Sequence, residues 1–141
     1  MLDIAVLGIN TAQREIRVMG ERVQDFTQAW DSVIDTVIDP AIERQFETEG
    51  DGRWQPRKDD LPHPLLQKTG KLRRSYTGDG EGHIEERRRD GLLFGSDVEY
   101  ADFIEDGTSR MPARPVLDFI DEQFSQDVAH ALDNWLSRGI R

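Results

Sequence analysis

Catalysis needs groups that meet, and the reactive side chains of this sequence are scattered. The three histidines, His63, His83 and His130, are far apart and share no ligand spacing, so no metal site is expected. The chain has no cysteine, which removes disulfides, thiolate zinc sites and cysteine nucleophiles together. The glycine-rich stretch GDGEG at 78–82 lacks the lysine and the terminal Ser/Thr of a phosphate loop, and it lacks the ligand register of a calcium loop. The adjacent pairs Glu85/Glu86 and Asp121/Glu122 diverge on a strand or a helix, as plain surface charge does. Ser75, Ser96, Ser109 and Ser125 have no nucleophile-elbow motif around them. No catalytic, metal-binding or cofactor-binding residue is assigned, and the chain is not expected to be an enzyme.

The elements that must position any function follow from length and pattern. With 141 residues the chain reads as a single domain over 1–141, enough for one core. Hydrophobic residues are 36% and charged residues 33%, and no run approaches the roughly 20 apolar residues of a membrane span. The opening MLDIAVLGIN has an acid at position 3 and no basic region, so no secretory signal is expected.

The net charge of −10 is unevenly spread. Residues 1–66 carry 7 basic and 13 acidic side chains, residues 67–96 carry 7 and 5, and residues 97–141 carry 4 and 10. A dedicated DNA binder concentrates basic side chains on one face to neutralise phosphates. Here only KLRRSY and ERRRD are basic, each with acids nearby, and a solvated strand surface accounts for them.

LDIAVLG alternates as an opening strand, and TAQREIRVMGERV has a helical composition that predicts a short helix. Val23, Phe26, Trp30, Val33, Val37, Ala41, Ile42 and Phe46 recur at helical spacing, with a kink expected near Asp39 because Pro40 lacks an amide hydrogen. Residues 51–64 contain three prolines and read as an irregular, mobile loop. LLQKTGKLRRSY then reads as a turn of helix, a stop at Gly70 and a strand. Strands near 72–77, 83–89 and 92–97 would form an antiparallel meander, with Asp90-Gly91 as a hairpin signal. Leu117, Ile120, Phe124, Val128, Leu132, Trp135 and Leu136 mark a last long amphipathic helix. The fold class expected is α+β, an antiparallel meander with a possible N-terminal strand, packed against two long amphipathic helices.

Three segments carry a more specific pattern. The first joins Phe46 and Gly50 at the end of the long helix to Trp54 and Pro56. The second is Leu66, Thr69, Gly70, Leu72 and Ser75. The third is Tyr100-Ala101, the Gly107-Thr108 turn and the Pro112–Pro115 sequence PARP. In order and spacing these resemble the bacteriophage virion morphogenesis or tail completion family, which includes the Mu-type G and P2-type S proteins, and the neck and minor tail components like lambda protein Z. The resemblance covers about residues 20–120. Val116 stands where many members have Phe, and the loop after Trp54-x-Pro56 is shorter and less basic than in many.

The resemblance implies a structural role in the virion at the head–tail junction, after synthesis in the host cytoplasm. The chain would work as a homo-oligomeric ring, a hexamer in preference to a dodecamer, between neighbouring neck, connector and tail tube proteins. DNA would pass through an acidic lumen without specific binding, and no membrane or cofactor is involved. Pro112 and Pro115 restrict Met111 and Arg114, so residues 107–116 read as a stiff extended arm, a subunit contact in preference to a simple crossover. Arg114 would pair with an acid of a neighbour or of its own sheet. The subunit-contact residues expected are Trp54, Arg87, Arg88, Arg89, Tyr100, Met111, Pro112, Arg114 and Pro115. The alternative is a small nucleic-acid-associated or regulatory module using the basic segment 73–89.

Overall fold

The structure, a computed structural model, describes residues 5–10, 14–19, 25–56, 70–78 and 80–139. It is an α+β fold. Four strands, β1 (Ala5–Asn10), β2 (Arg14–Met19), β3 (His83–Arg87) and β4 (Gly91–Ser96), form one antiparallel sheet in the order β1-β2-β4-β3. Two hairpins are joined through the β2–β4 ladder, which pairs Arg14 with Ser96 and Met19 with Gly91. The sheet therefore brings the N-terminal residues against the middle of the chain.

Two elements reverse their expected types. The stretch predicted as a short helix from residue 11 holds β2 instead. Its Arg/Glu composition favours helix, but REIRVM also alternates Ile16 and Val18, and a ladder on each side of the strand outweighs a weak local preference. The strand expected at 72–77 is helix α3 (Lys71–Thr77). Leu72, Ser75 and Tyr76 are its buried residues, a spacing that a helix face satisfies and a strand does not. Gly70 precedes this helix in a left-handed conformation (φ 73°); the helical turn expected before Gly70 lies outside the described residues. The expected meander is therefore the single β3–β4 hairpin, in which Arg87 pairs with Leu92. β3 lies at the sheet edge with Glu85, Glu86 and Arg87 exposed, as its charged sequence requires.

The first long helix is one helical run of three parts: α1 (Ala29–Val33), a π-helical turn (Ile34–Ile38) and α2 (Asp39–Glu47). Pro40 explains the π turn, since it offers no amide hydrogen to the preceding turn and its ring crowds the carbonyl there. The Asp39 amide accordingly reaches back to the Ile34 carbonyl. The inserted residue shifts the phase of the buried stripe by one position. Val37 and Ala41, expected in the core, are only half-buried, whereas Ile38, Ile42 and Gln45 are buried.

α5 (Glu122–Gly139) packs along α1 and the π turn, burying Phe124, Val128, Ala131 and Leu132. α3 packs between α2 and the β3–β4 hairpin, and Trp30, Phe46, Tyr76, Phe94 and Leu92 are buried in the same core. Complete burial of each such side chain contributes about 1.5–3 kcal/mol. Ser75 and Ser96 meet inside this core at 2.7 Å. Ser75 donates to the Leu72 carbonyl, so its oxygen accepts from Ser96, which in turn accepts from the Val98 amide. No described helix is long and apolar enough to cross a membrane.

Candidate contact surface

Two of the three segments behind the resemblance, 46–56 and 100–115, have mainly structural employment; Leu66 and Thr69 of the remaining one lie outside the described residues. Glu49, Gly50, Asp51 and Gly52 all have positive φ, a left-handed run that reverses the chain after α2. A Cβ on Gly50 would stand 2.3 Å from the Trp54 ring, so glycine is what lets Trp54 fold back. Trp54 then packs edge-on against Phe46, with ring centroids 5.8 Å apart, and its Nε1–H donates to the Pro115 carbonyl at 2.9 Å. Trp54 is thus buried as an anchor for the Pro115 backbone, and not on the surface as expected for a subunit contact.

The third segment begins at Tyr100 and helix α4 (Ala101–Asp106), which buries Ala101 and Ile104. Gly107 ends it at φ 75°, where a Cβ would lie 2.7 Å from the Ala113 amide nitrogen. Residues 108–111 close a small turn with hydrogen bonds between Thr108 and Met111 in both directions. The Arg114 amide donates to the Ile104 carbonyl. Glu105 accepts from the amides of Val116 (2.8 Å) and Leu117 (3.1 Å), and Gln45 donates to the Val116 carbonyl (3.0 Å).

Two prolines remove donors from this segment, and Glu105 satisfies two of the amides that follow. Arg114 donates from Nε to the Gln55 carbonyl (3.0 Å) and from Nη2 to the Pro56 carbonyl (3.4 Å). Its partners are therefore backbone carbonyls of its own chain, where a carboxylate was expected. These bonds are those of a clasped crossover. Met111, Pro112, Arg114 and Pro115 are all part-buried, and the exposed portion is Thr108–Arg110 with Ala113.

The arginine group is arranged differently. The carbonyls of Arg88 and Arg89 are tethered, accepting from Trp30 Nε1–H (2.6 Å) and from the Phe26 amide (2.8 Å). The side chains point to the surface. Arg87 bridges Glu85 (2.7 Å) and Asp31, and Arg88 meets Glu86 at 2.9 Å with 69% of its side chain exposed. Tyr100 (38% exposed) and Phe103 (55%) are the exposed large hydrophobics among the described residues. Phe103 was not among the expected contact residues; the signal for it was its place one turn after Tyr100, away from Ala101 and Ile104.

A polar cluster lies between β3 and the helical run. His83 presents Nδ1 to the Ser75 carbonyl (2.9 Å), which can only accept, and Nε2 to Glu85 (3.2 Å), with its ring edge-on to Phe94. Burial, reinforced by Asp35 and partly offset by His83, pushes the Asp39 carboxyl up to about 6. One Asp39 oxygen is enclosed without a hydrogen-bond partner. Among the described residues no group of His, Asp and Glu has the geometry to hold a metal ion. No protein-family model, curated protein or solved structure matches the chain.

Proposed function

We propose that the chain is a structural component of a bacteriophage neck, a tail-completion or tail-terminator protein that acts as a homo-oligomeric ring joining the tail to the DNA-filled head. The observation that carries this reading is the use made of the residues behind the family resemblance. Gly50, Trp54, Gly107 and Pro115, drawn from two separated segments, converge on one crossover and hold its backbone in place. A protein that works by shape needs its backbone set before it docks, because ordering a loop at the moment of association costs affinity.

The ring is proposed as a hexamer, since tails are built on sixfold symmetry, with neck, connector and tail tube proteins as neighbours and the virion as its place of action. The net charge of −10 suits a wall that guides DNA without retaining it. The alternative, a phosphate clamp on residues 73–89, has to contend with arginines already engaged: Arg73 meets Glu43 and Glu47, and Arg87 meets Asp31 and Glu85.

Imaging of virions that carry a tagged copy tests the proposal. Density for the protein in a ring at the head–tail junction is the expected result. Particles that lack the protein, or salt-dependent binding of the purified chain to duplex DNA, would overturn it.

A further inference from the structure

The β3–β4 hairpin has opposite chemistry at its two ends. At the tip, Arg88 and Arg89 stand on a backbone pinned by Phe26 and Trp30, so their side chains are presented from a rigid base. At the other end a cleft of about 550 Å³ opens between Glu81, Asp97, Glu99 and Tyr100. Three carboxylates line it against one lysine, Lys71. The Asp97 amide closes onto the Gly82 carbonyl (2.8 Å), and the missing side chain at Gly82 leaves room for the Asp97 carboxylate beside it. Phe103 continues the aromatic face of Tyr100 one turn further on.

β4 has six residues, so at about 3.4 Å per residue the two ends are roughly 20 Å apart. We propose that these ends are the two halves of one interface: the Arg88–Arg89 tip of one copy docks into the Glu81/Asp97/Glu99 cleft of the next, with an arginine against the Tyr100–Phe103 face. The occupant follows from charge complementarity. A guanidinium pairs with carboxylates in a planar fork and stacks on an aromatic ring, and the cleft offers both kinds of partner. The cost of freeing Arg88 is small, because the Arg88–Glu86 pair is exposed. The two patches are different and lie at opposite ends of the hairpin, so the contact is heterologous, head to tail, and propagates from copy to copy until it closes. This inference rests on the ring reading for its closure but not for the contact itself.

The chain has no cysteine, which gives a clean test. Arg88→Cys and Glu99→Cys single variants, mixed in equal amounts and oxidised gently, are expected to form tip-to-cleft heterodimers well above the statistical share. Statistical proportions of the three dimers would overturn the contact. A charge-reversed tip (Arg88→Glu with Arg89→Glu) and a charge-reversed cleft (Asp97→Arg with Glu99→Arg) should each weaken self-association on the order of a hundredfold, and mixing the two should restore it. Self-association unchanged in either variant would overturn the contact as well. The Arg88→Cys/Glu99→Cys double variant separates this contact from the ring reading. A closed species of one size supports both, whereas an open ladder keeps the contact and removes the ring. A discrete ring of the unmodified chain with statistical cross-linking keeps the ring and removes the contact.

Discussion

Two arginine-bearing turns of this protein use the residue in opposite ways. In the 107–117 crossover the guanidinium of Arg114 is consumed internally, on the carbonyls of Gln55 and Pro56. At the β3–β4 tip the backbone is what is held, through the carbonyls of Arg88 and Arg89, and the Arg88 side chain is left largely in solvent. The same residue type therefore serves stability in one place and presentation in the other. What decides between them is which part of the residue the fold has tethered.

The largest effect that would sharpen this contrast is at the crossover. Trp54→Ala removes a buried ring and leaves the Pro115 carbonyl with only the long bond from Gln45 Nε2 (3.5 Å), and should cost about 3–5 kcal/mol in urea unfolding. A loss below 1 kcal/mol would mean that the clasp is not what holds residues 114–117. Glu105→Ala leaves the Val116 and Leu117 amides unpaired and should cost about 2–3 kcal/mol, while Glu105→Gln, which keeps an acceptor, should cost clearly less.

An intermediate effect comes from Asp39, a half-buried carboxyl near Asp35, His83 and Glu85. Its folded value of about 6 lies above the ordinary 3.8, so folding favours the protonated form. The associated stability is complete below about 3.8 and is lost as pH rises through about 6. Asp39→Asn should flatten this slope and leave the variant more stable than the parent at pH 8, by on the order of 1 kcal/mol once solvent screening is allowed for. Equal slopes for the two proteins between pH 4 and 7 would remove Asp39 as the cause.

The smallest effect on folding should come from the tip. Arg88→Ala breaks only an exposed pair and should change stability by less than about 0.5 kcal/mol. A loss comparable to that of Trp54→Ala would end the contrast between the two turns.

Much of the fold was legible in local pattern, and the exceptions share a cause. The β3–β4 hairpin was readable from Asp90-Gly91 and the apolar run LLF, and α5 from its long stripe. The stripe from Phe26 to Phe46 was also readable, with Ile42 and Phe46 buried as expected, but Val37 and Ala41 are only half-buried and Ile38 takes the core place, because a π turn adds a residue that no fixed period anticipates. REIRVM and KLRRSY each adopt the element type that local pattern predicts for the other. Both are short and polar, and the neighbours that decide them, two ladders for the first and the core against Ser96 and Phe94 for the second, are distant in sequence. The candidate surface was legible in part. Tyr100 and Arg87–Arg89 lie at the surface, whereas Trp54, expected as a contact, is buried, and Arg114, expected to pair with an acid of a neighbour or of its own sheet, donates to the carbonyls of Gln55 and Pro56.

By itself the sequence determined where the chain must turn, which stretches must hide an apolar face, and that its glycines and prolines confine residues 50–52 and 107–115 to a few backbone conformations; these are properties of single residues and their nearest neighbours. Only the tertiary structure decided which polar groups are spent inside the molecule and which are offered outward. That choice depends on donors and acceptors far apart in the chain, Trp30 on Arg88, Trp54 on Pro115 and Glu105 on Val116, and a buried polar group accepts whichever partner the fold brings within reach.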